Sequence, residues 1–192
     1  MKNKLFILSG PSGAGEDSII EGLKKYFEIE RVITTTTRAM RTGDSQGNPY
    51  YFISKEEFEQ KIASGDFVEY AQEYNDNYYG VTRTELSRVQ NSGKIGIWKI
   101  EYKGVITAKK MFPEIIAILI NVSDLEILAQ RIRKRDNADE KYIQERMTYT
   151  KEWLQHKDIY DFEVINEEGK LDEAIAKTAQ IIQNVLDEQK SS

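Results

Sequence analysis

The chain has 192 residues, which suits one α/β domain with small inserted subdomains and a buried core. Hydrophobic residues make up 40% and charged residues 31%, the formal net charge is -5, and cysteine is absent. That excludes disulfides and thiolate zinc sites, and the mild acidity, with no basic stripe, argues against bulk nucleic-acid binding.

The apolar run Leu5 to Leu8 reads as a buried strand within Lys4 to Ser9. It is too short for a signal peptide, and no stretch reaches the roughly 18 apolar residues of a membrane span, so the expected location is the cytoplasm. Gly10 to Gly15 is a glycine-rich turn, and Ile19 to Tyr26 reads as a helix. Arg31 to Thr37 is β-branched and strand-like, and Arg38 to Pro49 is loop. A short strand follows at Tyr50 to Ser54, where Ser54 and Glu57 form a capping box for the next helix. Phe67 to Tyr79 reads as a β-hairpin around Asn75, Asp76 and Asn77. Then come a helix at Thr84 to Gln90, a strand at Gly96 to Glu101, a helix at Val105 to Met111 and an apolar strand at Ile115 to Asn121. Ser123 to Arg135 and Asp139 to Gln155 are charged helices, Phe162 to Ile165 is a last strand, and Leu171 to Leu186 is an amphipathic closing helix. The tail after Asp187 reads as disordered, and no internal repeat is visible. Strands alternating with helices predict a parallel, helix-covered sheet.

Strand, Gly10-Pro11-Ser12-Gly13-Ala14-Gly15, then helix is the context of a phosphate-binding loop, in which backbone N–H groups and a helix N-terminus converge on phosphate oxygens. The pattern G-x-x-x-x-G-K-S/T is broken here: Glu16 stands in the lysine position and Asp17 in the hydroxyl position, with Ser18 next. Like unit charges about 4 Å apart repel by roughly 4 kcal/mol at an effective dielectric near 20. Glu16 must therefore point away, pair with a cation or ligate Mg²⁺. Asp17, with Ser18 beside it, is the candidate Mg²⁺ ligand, because Mg²⁺ prefers carboxylate and phosphate oxygens. Read alone, the loop is equally a plain glycine turn between strand and helix.

The following segments carry a resemblance. Thr34-Thr35-Thr36-Thr37-Arg38-Ala39-Met40-Arg41-Thr42-Gly43 resembles the guanylate kinase signature S-x-T-T-R-x-x-R-x-G, and Gly47, Tyr50 and Phe52 resemble its continuation. Phe67-Val68-Glu69-Tyr70 and Asn77-Tyr78-Tyr79-Gly80 are similar to the family's F-x-E and N-Y-Y-G elements. Arg131 with Arg135, Arg146 with Met147, and Tyr160-Asp161 with Val164 and Asn166 resemble its later elements. The matches run in order over nearly the whole chain.

The resemblance implies a P-loop NTPase three-layer fold in three parts: a core of roughly 1–33, 84–123 and 157–192, a GMP-binding insert of 34–83 and a helical lid of 124–156. It implies the reaction ATP + GMP ⇌ ADP + GDP with Mg²⁺, possibly accepting dGMP, by a monomer or weak homodimer that binds neither nucleic acid nor membrane. It assigns Gly10, Ser12, Gly13, Ala14, Gly15, Glu16, Asp17, Ser18 and Asn166 to ATP, and Thr34, Arg38, Arg41, Tyr50, Glu69, Tyr79, Thr82 and Glu101 to GMP. The residue types make chemical sense unaided. Arg38 and Arg41 can fork onto one phosphate, and Tyr50 and Tyr79 offer it hydroxyls. Glu69 can accept from the N1–H and 2-amino edge of guanine, a donor pair adenine lacks. Arg131, Arg135 and Arg146 read alone as a solvated helix face, whereas in the family such lid arginines contact the transferring phosphoryl group. Tyr78 is expected to be a packed aromatic and His156, the single histidine, a structural or exposed residue.

Three departures matter. Val81 replaces a hydroxyl-bearing base contact, although Thr82 follows. In Trp98-Lys99-Ile100-Glu101-Tyr102-Lys103-Gly104 the family has acids at the positions of Lys99 and Glu101, which a strand period of two puts on one face. Lys99 where an acid is expected and Glu16 where a lysine is expected read as a reciprocal charge exchange, with Lys99 reaching the phosphate region or pairing with Glu16, and Lys103 as a second candidate. The alternatives are a catalytically impaired GMP-binding protein or scaffold, a kinase for another phosphorylated substrate, and a kinase with another phosphoryl donor. Retained lid arginines argue against the scaffold, and Glu69 and Tyr79 argue for a nucleotide acceptor.

Overall fold

A computed structural model describes residues 4–72, 76–136 and 139–191. The unbroken apolar run of β1 (Leu5–Ser9) lies at the centre of a five-stranded sheet. Its neighbours are β7 (Ile95–Lys99) and β8 (Ile116–Asn121), with β2 (Ile29–Arg31) and β9 (Phe162–Ile165) at the edges. All four pairings are parallel, as the alternation of strands and helices predicts. A strand covered on both faces needs apolar residues in both directions. Phe6 and Leu8 point into one core with Ile19, Ile20, Ile118 and Ile182, while Leu5 and Ile7 point into the other with Trp98, Val105 and Ala117.

Helices α1 (Glu16–Leu23) and α7 (Leu171–Ser191) cover the first face. α3 (Arg83–Asn91) and α4 (Tyr102–Met111) contribute Leu86, Val89, Val105 and Ala108 to the second core. A second sheet, ordered β4-β3-β6-β5, is built from β3 (Thr35–Thr36), β4 (Tyr51–Phe52), β5 (Phe67–Gln72) and β6 (Tyr78–Thr82). It carries α2 (Lys55–Ala63), whose N-terminus is capped by the Ser54 hydroxyl accepting from Glu57 N–H. Two further helices, α5 (Leu125–Asp136) and α6 (Glu140–Leu154), meet through Ala129, Ile132 and Ile143. No described helix is long and apolar enough to cross a membrane.

Three expectations are corrected. α1 begins at Glu16, not Ile19: acidic side chains suit the first turn of a helix, so apolar periodicity starts late. The Arg31–Thr37 segment is not one strand but the crossing between two sheets. Val32 N–H still bonds Ile97 O in the first sheet, Ile33 N–H goes to the Glu85 carboxylate at 2.7 Å, and Thr35 already pairs in the second. The tail after Asp187 is helical to Ser191, held by Lys190 to Asp187 at 2.8 Å and Gln183 to Asp187 at 2.9 Å. The hairpin forms between β5 and β6, and its expected tip residue Asn75 lies outside the described residues.

Glu85 governs that crossing. It is buried, accepts from Ile33 N–H, and pairs with Arg88, which in turn donates to Arg31 O at 2.9 Å. Glu85→Ala is expected to lower stability by about 2 kcal/mol, because it leaves the Ile33 N–H without its acceptor and removes one of the two carboxylates that pair with Arg88, the other being Glu30. A urea midpoint within error of the parent's would contradict this.

Candidate active site

The chain turns from β1 into α1 through Gly10–Gly15, where Gly13 (φ 90) and Gly15 (φ 97) adopt the left-handed conformation that side chains disfavour. Gly15 is the N-cap of α1 and offers no side-chain cap, so the first-turn N–H groups face the loop without the usual internal acceptor. The loop is tightly enclosed: a Cβ on Gly10 would come within 2.3 Å of Ile120 O, and one on Gly13 within 3.2 Å of Leu128 O of α5. Asn166 Nδ2 donates to Ala14 O at 2.8 Å, and its Oδ1 is buried without a hydrogen-bond partner.

Two of the three arginines expected on a lid lie on this loop. Arg131 donates to Gly13 O at 3.2 Å and Asn166 O at 3.1 Å, and pairs with Glu168. Arg135 donates to Ser12 Oγ at 3.2 Å. Arg146, on α6, instead lies 5.2 Å from the ring of Tyr142 and donates to its hydroxyl.

The carboxylates that replace the expected lysine and hydroxyl behave differently. Glu16 is half-buried, and the loss of water around its carboxyl pushes its pKa up to about 7 against the pull of Lys99 and the amides of Glu16 and Gly15. Burial also pushes Asp17 up, but hydrogen-bonded Lys99 and Arg31 outweigh it and hold that carboxyl below the usual range. Lys99 Nζ sits 2.6 Å from Asp17 Oδ2, and Arg31 Nη2 sits 2.6 Å from Asp17 Oδ1. So the direct partner of Lys99 is Asp17, while Glu16 feels its charge only at longer range. This corrects the expected Glu16 pair.

Both oxygens of Asp17, the candidate Mg²⁺ ligand, face cations, Lys99 and Arg31, and Ser18 beside it is exposed. A shared strand face for residues 99 and 101 is also corrected. β7 ends at Lys99, and Glu101 is the N-cap of α4, accepting from the Tyr149 hydroxyl of α6 at 2.6 Å. Lys103 lies over the rings of Tyr102 and Tyr149, 5.7 and 5.9 Å from their centroids, and is not the compensating cation. His156 stacks on Tyr102 at 4.8 Å.

A second constellation forms on the four-stranded sheet. The Arg38 guanidinium lies 5.4 Å from the Tyr50 ring and 5.3 Å from Phe52, and is paired with Asp44 at 2.8 Å. Tyr79 meets Tyr50 edge to face at 5.9 Å. These three residues are brought together; Arg41 is exposed and donates to Asp44 through its backbone N–H. Tyr78 packs face to face on Phe58, as a core aromatic should. Glu69 lies on β5 opposite Val81, which is fully buried, and a Cβ on Gly104 would sit 3.4 Å from Glu69 Oε2. Thr82 is the N-cap of α3, its hydroxyl accepting from Glu85 N–H. Thr34 accepts from Tyr51 N–H through its carbonyl.

Asp44, Arg31, Tyr149 and Gly104 are parts of these clusters that sequence reasoning missed. Only Gly104, sitting within the quoted 98–104 segment, left a signal there.

A family model described as guanylate kinase matches residues 2–185. Guanylate kinase of a Nostoc species is 36% identical over 169 residues, covering 88% of this chain and 84% of the relative. That of Rickettsia felis is 36% identical over 185 residues, covering 95% of each. The crystal structure of guanylate kinase from Anaplasma phagocytophilum matches with a TM-score of 0.70 at 24% identity, covering 94% of this chain and 84% of that one.

Proposed function

The chain belongs to the guanylate kinase family, and from that premise we propose that it transfers the terminal phosphoryl group of ATP to GMP. The observation that carries the reading is the pair Arg131 and Arg135 resting on an uncapped glycine loop, which makes an anion site with charge from both backbone and side chains.

ATP would enter as its magnesium complex, with the metal held mainly by phosphate oxygens and water, since before the nucleotide arrives both Asp17 oxygens are paired with cations. The loop amides orient the β- and γ-phosphates, and Asn166 braces the loop by donating to Ala14 O. Arg38, Tyr50 and Tyr79 hold the GMP phosphate; Glu69 reads the guanine edge. The acceptor oxygen then lies in line with the donor, and no covalent intermediate forms. Residues 124–156 act as the lid: closure brings more arginine charge to the transferring group and excludes water. Residues 34–83 form the acceptor insert, and the remainder forms the core.

Glu16 also favours a second reading, a protein that binds GMP without transfer. Titration separates the two. The Glu16 carboxyl takes up a proton as pH falls through about 7, which removes a negative charge from the loop. Affinity for Mg·ATP is therefore expected to rise from pH 8 to pH 6, and Glu16→Gln is expected to flatten that slope. Calorimetry giving parallel slopes for the two proteins would remove Glu16 from the account. GMP-dependent ADP release supports transfer, whereas tight GMP binding without it supports the second reading.

A further inference from the structure

We infer that Lys99 is the cation that stands in for the missing loop lysine, with Asp17 as its positioning residue. This rests on the phosphotransfer reading above.

The topology favours Lys99 over other cations. β7 pairs directly with β1, and the register sets Lys99 beside Leu8, two residues before the loop begins. Its ammonium lies on Asp17, the residue after the vacant lysine position. Arg31 is one strand farther away, because β2 lies beyond β7 in the sheet, and its backbone is held by Arg88. Arg131 and Arg135 reach the loop from α5, on its Ser12 and Gly13 side. The helix side of the loop is left to Lys99 and Arg31, of which Lys99 starts from the strand next to β1.

The charge count makes Lys99 releasable. Asp17 is one carboxylate with two cations, each at 2.6 Å on a separate oxygen. When Lys99 turns to a phosphate oxygen, Arg31 still neutralises Asp17. Little is lost in the exchange, since the side chains of Asp17, Lys99 and Arg31 are 62, 38 and 42% exposed and such pairs are weak in water. Much is gained, since a triphosphate carries more charge than one carboxylate and accepts charge-assisted hydrogen bonds from the ammonium. Asp17 thus parks the ammonium near the site before the nucleotide arrives, which saves part of the ordering cost of a long side chain.

The test is a binding cycle without turnover. Affinity for the magnesium complex of β,γ-imido-ATP is measured for the unmodified protein, Lys99→Ala, Glu16→Lys and the double variant. Lys99→Ala is expected to weaken binding by about 10- to 100-fold in the unmodified protein and by less than about threefold beside Glu16→Lys, where the loop carries its own ammonium. GMP affinity is expected to stay unchanged, and Lys99→Arg to retain most of the nucleotide affinity. Equal losses in both backgrounds, or no loss in the unmodified protein, overturn the inference. A flat cycle in a protein that still releases ADP in response to GMP sinks this inference alone. An unmodified protein that neither binds the analogue nor releases ADP sinks the phosphotransfer reading with it.

Discussion

Glu16→Lys is expected to raise kcat/KM for Mg·ATP by about 100-fold or more at pH 8, with a smaller gain at pH 6. The substitution turns a carboxylate at the head of α1 into an ammonium at a position from which a loop lysine reaches the β- and γ-phosphates. One like-charge repulsion is removed and one attraction gained, each worth roughly 4 kcal/mol at about 4 Å and an effective dielectric near 20. Two effects shrink the gain. Glu16 is protonated about half the time near pH 7, so part of the repulsion is already relieved there. Lys99 and the two arginines on the loop already supply positive charge. The pH dependence is the discriminating readout: a gain that is the same at pH 6 and pH 8 would mean that the ionised Glu16 carboxylate is not what weakens the loop.

Arg38→Ala is expected to lower kcat/KM for GMP by about 1,000-fold while leaving the binding of Mg·ATP alone unchanged. The guanidinium is held in place before any ligand arrives, by Asp44 on one side and the rings of Tyr50 and Phe52 on the other. Its side chain is only 11% exposed, so its charge meets a phosphate with little intervening water. Truncation removes the charge and leaves Asp44, 14% exposed, without its guanidinium partner and held by Arg41 N–H. Arg38→Lys is expected to recover only a small part, since an ammonium cannot satisfy Asp44 and the phosphate together through one planar fork. A loss of tenfold or less for Arg38→Ala, in steady-state rates at varied GMP, would move the phosphate site away from this cluster.

The architecture was legible where burial leaves no choice. Leu5 to Leu8 and Ile116 to Asn121 are apolar on both faces, and only a central parallel strand uses both. The glycine loop was legible because positive φ at Gly13 and Gly15 demands glycine. Arg38, Tyr50 and Tyr79 were legible as residue types that suit a phosphate, and they do lie together. The break between β2 and β3 was not legible. A β-branched run looks the same in either sheet, and the deciding acceptor, Glu85, lies 52 residues away. The partner of Lys99 was misread for a similar reason. Reciprocal charges suggested Glu16, but the side chain turns to the neighbouring Asp17, and Arg31, which completes that triad, carries no motif. Glu101 was read as strand because Lys99 and Glu101 alternate, yet the strand ends at Lys99 and Glu101 opens a helix. Alternation over two residues cannot distinguish a strand from the N-cap that follows it.

In this guanylate kinase-family chain Lys99 of β7 lies on Asp17 in the first turn of α1, and Arg131 and Arg135 of α5 lie on the glycine loop. The most direct test is ADP release by the purified protein with Mg·ATP, with and without GMP, beside AMP, CMP and dGMP. The account predicts release that depends on GMP, is absent with AMP and CMP, and falls in Lys99→Ala. GMP bound tightly with no release above background would contradict it, and would make Glu16 the feature that ended transfer.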